Sequence, residues 1–139
     1  MTGENRKARV SAETQKGDEA LRAAQILLDT GLYNDAVGRM YYAAFHYATA
    51  ALASVDVQAR SHGALQSLFS LHLVKTGKLA FQQAKDLRRL QGYREAADYD
   101  AEFRFDLKGA SEELAVARAF VQAARAHLVA EGLLETKSA

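Results

Sequence analysis

The chain has 139 residues, 49% of them hydrophobic, which fits one domain with a real core. It has no cysteine, which excludes disulfides and thiolate metal sites and is compatible with a reducing cytoplasm. Eighteen basic against seventeen acidic residues leave a net charge of +1, which excludes adhesion to nucleic acid by bulk charge and leaves any phosphate chemistry to a local cluster.

The absence of proline and the abundance of alanine and leucine favour helix throughout. Residues 1–10 are polar and aperiodic. They read as a flexible lead-in and not as a signal peptide. A first helix is expected from Ser11 to Thr30, with Ala20, Leu21, Ala24, Leu27 and Leu28 as its apolar stripe and Gly31 as a left-handed stop. Leu32 and Tyr33 form a short link, so the next helix should run antiparallel to the first. That second helix spans Asn34 to Asp56, with Asn34 as its cap and Asp35 at the positive end of its dipole.

Ser61 caps an expected third helix, His62 to Thr76, which Gly77 ends. A fourth is expected from Lys78 to Ala97, with Ala80, Ala84, Leu87, Leu90 and Arg94 along one stripe. Residues 98–106 lose the helical period and read as a loop. A fifth helix starts between Asp106 and Ser111 and runs to Ala130, burying Leu114, Ala117, Phe120, Val121, Ala124 and Leu128. Residues 131–139 read as a frayed tail. The expected fold is all-α, a five-helix up-and-down bundle occupying residues 11–130. No apolar run is long enough to span a bilayer, so no membrane association and a cytoplasmic location are expected.

The second helix carries the first candidate chemistry. One face reads Ala36, Arg39, Ala43, His46, Ala50, Ala53, and the neighbouring face reads Val37, Met40, Tyr41, Ala44, Phe45, Ala48, Leu52, Val55. Arg39 and His46 share a face because seven residues fall within about 20° of two full turns. A guanidinium neutralises a phosphate and a neutral imidazole takes a proton from a hydroxyl. A buried, inert histidine and an interface arginine are the competing reading. Helical side chains lean towards the N-terminus, so Arg39 leans away from His46. A two-fold partner would repair this, and the alanines would let it approach, which points to a homodimer through the Arg39/His46 face. The alternative is that this alanine face packs on another helix of the same chain.

His62, after Arg60 and Ser61 at a helix start, is a candidate substrate-binding residue; a capping turn with a solvated histidine is the alternative. Arg94, Asp98 and Tyr99 form a third cluster, read either as a structural ion pair four residues apart or as a substrate contact. His72 and His127 have no visible partners and are taken as incidental. There is no glycine-rich phosphate loop, no dinucleotide fingerprint and no carboxylate–histidine set at di-metal spacing, so no metal or cofactor is expected.

The strings YNDAVGRMYYAAFHYATAALA, RSHGALQSLF, LVKTG and YREAADYD, between Ala20 and Leu128, resemble the HEPN domain superfamily, in particular its small stand-alone prokaryotic members. The resemblance implies a helical bundle that dimerises. In many members it implies a metal-independent endoribonuclease whose motif is Arg, four to six residues, then His; Arg39 and His46 match with six between. The implied reaction is attack of a ribose 2′-hydroxyl on the adjacent phosphate, with His46 as acid or base and Arg39 on the phosphate. It also implies a toxin–antitoxin role with a small nucleotidyltransferase as antitoxin. In the toxin branch the motif lies late and ends in tyrosine; here that segment offers Arg94 and then Tyr99 where a histidine would stand, a second candidate location. Two functions follow: an RNA-cleaving toxin, or a non-catalytic helical partner of a nucleotidyltransferase that contributes nucleotide or substrate binding.

Overall fold

The structure is a computed structural model and describes residues 2–136. Five α-helices account for its regular structure: α1 Gly3–Asp29, α2 Tyr33–Ala53, α3 His62–Phe69, α4 Phe81–Tyr99 and α5 Leu107–Ala130. A single π-helical turn, Ser70–Val74, extends α3. Among the described residues there is no strand.

The stop signals act as their chemistry dictates. Gly31 has φ +82°, and Leu32 N–H donates to Leu27 C=O while Gly31 N–H donates to Leu28 C=O, a Schellman closure of α1. Ser61 Oγ accepts from Ala64 N–H at the start of α3, and Asp106 Oδ1 accepts from Gly109 N–H at the start of α5. The expected buried positions of α5, from Leu114 to Leu128, are all buried.

Helix α2 lies at the centre and packs on α1, α4 and α5. Tyr41, Tyr47, Met40 and Leu52 are fully or almost fully buried, each worth about 1.5–3 kcal/mol of transfer free energy. The alanine face is buried as well: Ala36, Ala43 and Ala50 are 0% exposed and Ala53 is 4% exposed. These alanines let helices of one chain come close, as in the alternative reading of that face. At Gly17 of α1 the approach is so tight that a Cβ would stand 2.6 Å from Tyr47 Cδ2.

Four further expectations are corrected. Residues 1–10 are no lead-in: α1 begins at Gly3, capped by the Thr2 hydroxyl. Val10 is fully buried, and Arg6 forms a bidentate ion pair with Asp56 at 3.1 and 2.6 Å. Most of this first part of α1 faces solvent, so one inward valine was too little to show a period. Asn34 does not cap α2. Its amide donates to Phe103 C=O (2.8 Å) and accepts from Phe105 N–H (2.9 Å), clasping the segment before α5. After α5, Gly132 at φ +73° closes the helix, and Leu133 and Leu134 pack on the core, so residues 131–136 are not frayed; residues 137–139 lie outside the described residues. His127 is not incidental: it is buried, 3.1 Å from Ser54 Oγ, and burial lowers its pKa.

Candidate active site on one edge of the central helix

Helix α1 runs antiparallel to α2, and their register sets the site. With Gly17 against Tyr47 and Ala43, the turn of α1 before it reaches His46. There Glu13 Oε2 lies 2.8 Å from His46 Nδ1. The hydrogen bond from His46, aided by the charge of Arg9 and partly opposed by burial, holds the Glu13 carboxyl below the usual carboxylate range. Glu13 is therefore ionised at neutral pH and can only accept, so His46 Nδ1 is the donor. Nε2 makes no hydrogen bond among the described residues, and in the neutral ring it carries the lone pair, the arrangement a general base needs.

Towards the other end of α2, Tyr41 Oη and His62 Nδ1 are 2.5 Å apart. Burial pushes the Tyr41 hydroxyl up to about 12, partly opposed by the charge of Arg94, so it keeps its proton at neutral pH. Phe45 contacts both histidines, its ring centroid 5.2 Å from that of His46 and 5.1 Å from that of His62. Arg9, Glu13, His46, Arg60, Ser61 and His62 line a cleft of about 290 Å³ around it.

His46 also borders a second cleft, of about 430 Å³ between α1 and α2, with Lys16, Arg39 and Tyr42. Arg39 is exposed, its Cζ 4.8 Å from the Tyr42 ring centroid. Arg94 of α4 places its Cζ 5.3 Å from the same ring and 5.5 Å from that of Tyr41. Asp98 Oδ2 is 3.2 Å from Arg94 Nε, an ion-pair distance, yet the N–H is not aimed at the oxygen and this buried nitrogen has no hydrogen-bond partner.

Arg39, His46, His62 and Arg94 thus converge on one surface, joined through the Tyr41, Tyr42 and Phe45 rings. Asp98 reaches it only through Arg94. Tyr99 is 78% exposed at the end of α4 and takes no part in these contacts. The sequence reading missed Glu13, whose tie to His46 crosses between helices. It also missed the linking role of Tyr41 and Tyr42, for which the consecutive tyrosines beside Arg39 were the available signal. Arg39 and His46 border one cleft within a single chain, so the lean of their side chains does not require a second chain to bring them together. Among the described residues no group of three or more His, Cys, Asp or Glu is placed to hold a metal ion, and no helix is long and apolar enough to cross a membrane.

The architecture agrees with what sequence comparison finds. The HEPN domain profile matches residues 10–127, and the chain belongs to the HEPN family. A protein of Methanocaldococcus jannaschii whose name proposes it as a toxin is 25% identical over 87% of this chain and 82% of its own length. A second protein of that organism, named in the same way, is 33% identical over 65% of this chain and 67% of its own. A UPF0332 protein of Gloeobacter violaceus is 34% identical over 60% of this chain and 67% of its own.

Proposed function

We propose that this protein is a toxin-like, metal-independent endoribonuclease. The observation that carries the reading is the Glu13–His46 hydrogen bond beside Arg39. The bond fixes the proton on Nδ1 and presents Nε2 to a substrate hydroxyl. His46 takes the 2′-hydroxyl proton as that oxygen attacks the adjacent phosphorus. Arg39, with Arg94 next to it, stabilises the charge that develops on the phosphoryl oxygens. Lys16, Arg9 and Arg60 add local positive charge that the net charge of +1 conceals. The alanine argument for a homodimer is gone, since those residues are buried. A second copy docking here would meet Arg39 and Tyr42 instead, which sedimentation velocity at micromolar concentration would detect.

The test is incubation of pure protein with structured RNA in EDTA. Wild type should produce fragments ending in a 2′,3′-cyclic phosphate, and His46→Ala and Arg39→Ala should not. RNA left intact by the wild type, or cut equally well by both variants, would overturn the reading.

One observation favours a second reading, a binding partner of a nucleotidyltransferase. Gly92, Tyr93, Ala96 and Phe103 line an apolar groove of about 610 Å³ with Lys85, Arg88 and Arg89 at its edge. An apolar segment bearing carboxylates would fit it. A stable complex with such an enzyme, together with no RNA cleavage, would favour this reading over the first.

A further inference from the structure

The two histidines of the cleft are tied back in opposite senses. Glu13 can only accept, so His46 has a proton on Nδ1, and the neutral ring has its acceptor at Nε2. Tyr41 is the reverse case. It is 0% exposed, it keeps its proton at neutral pH, and among the described residues His62 Nδ1 is its one hydrogen-bond partner. If His62 Nδ1 carried the hydrogen, the buried tyrosine proton would have no acceptor. Donation from Tyr41 Oη to Nδ1 satisfies both groups and puts the neutral histidine's proton on Nε2. One imidazole therefore offers a lone pair and the other an N–H. Both border the same cleft, each Nδ1 is turned to the scaffold, and the rings, both in contact with Phe45, lie within about 10 Å of each other.

Resting on the ribonuclease reading, we infer that His62 is the general acid that completes the reaction begun by His46. In the step, the 2′-oxygen–phosphorus bond forms and the phosphorus–5′-oxygen bond breaks. The 2′-hydroxyl proton passes to His46 Nε2, and the Nε2 proton of the His62 imidazolium passes to the departing 5′-oxygen. The products are a 2′,3′-cyclic phosphate and a 5′-hydroxyl. His46 then releases a proton to water and His62 takes one up, so no co-reactant is consumed. Tyr41 is a positioning residue: its hydroxyl holds the His62 ring, and in the cationic form its oxygen accepts the Nδ1 hydrogen while its own hydrogen goes unaccepted, a cost that proton transfer to the 5′-oxygen relieves.

The test uses an RNA oligonucleotide containing a site the wild type cuts, and a copy whose scissile 5′-oxygen is replaced by sulfur. A thiolate leaves without being protonated. On the oxygen linkage His62→Ala should lose about 100-fold or more in rate, the range of general acid catalysis. On the sulfur linkage it should return to within about threefold of wild type. Tyr41→Phe should show the same pattern, weaker, and guards against a folding defect in His62→Ala. His46→Ala should be slow on both linkages. Equal losses on both linkages for His62→Ala and Tyr41→Phe would overturn this inference alone, leaving His62 as a contact. Failure of the wild type to cut either oligonucleotide would overturn the ribonuclease reading and this inference with it.

Discussion

Two polar networks flank α2, built from similar side chains and finished differently. On one side Tyr47 donates to Asp18 at 2.6 Å and accepts from Arg125 at 3.0 Å, and Arg125 also reaches Glu135 C=O. On the other, Glu13 holds His46 and Tyr41 holds His62, and among the described residues each imidazole keeps one nitrogen without a partner. The Tyr47 network ties a buried hydroxyl to both of its possible roles, and burial with the Asp18 bond raises its pKa. A saturated network contributes to stability and has nothing left to offer a ligand. A network that ends in unpaired nitrogens at a cleft is oriented for proton transfer. On the proposed reading, the contrast separates what holds this bundle together from what would act on a substrate.

His46→Ala breaks the contrast most directly. RNA cleavage should fall about 10²–10⁴-fold, roughly 3–5 kcal/mol of barrier, while the melting temperature moves little. A large loss of stability would place His46 with the structural groups. Tyr47→Phe is the mirror experiment. It should cost about 1–3 kcal/mol in urea unfolding and leave the cleavage rate near wild type. Glu13→Gln keeps the shape and removes the charge that fixes the His46 tautomer. About a tenfold loss of cleavage is expected, about 1.4 kcal/mol, with a smaller effect on folding.

The smallest effect is in the pH dependence of stability. Burial lowers the His127 pKa from 6.5, so the unfolded chain takes up its proton first and stability falls as pH drops below about 6.5. The Glu13 carboxyl is also lowered, from 4.5, so its contribution is present above that value and disappears as pH falls through the depressed value. Thermal melts should decline in two stages on acidification. His127→Gln should remove the upper stage and Glu13→Gln the lower. A single stage unaffected by either change would contradict both assignments.

Local chemistry was legible in the sequence wherever it acts within a few residues. The stops at Gly31 and Gly77, the Ser61 cap and the whole buried stripe of α5 follow from spacing and backbone preference. Arg39 and His46 share one cleft for the same reason, a seven-residue separation on a helix. What crosses between helices was not legible. Glu13 sits 33 residues before His46, and no pattern within α1 tells which residue its register sets opposite. Asn34 reaches about 70 residues ahead, although at its own position it looked like a cap. The alanine face was ambiguous for a physical reason: small residues permit close packing and are silent on whether the neighbour is the same chain. Tyr99 falls where the resemblance would put a histidine, yet it stands in solvent and contacts none of the cluster.

Tyr42 has a consequence for the energy of the free protein. Its ring is shared by the guanidinium groups of Arg39 and Arg94, which places two positive charges within about 10 Å of each other. Their mutual repulsion, about 1.7 kcal/mol at an effective dielectric of about 20 before salt screening, is a cost that the chain carries and that the Asp98 carboxylate beside Arg94 partly offsets. An anion arriving between them relieves that cost as it binds. On the proposed reading, relief of that repulsion would supply part of the affinity for a phosphate, and added salt would weaken it by screening before any substrate arrives.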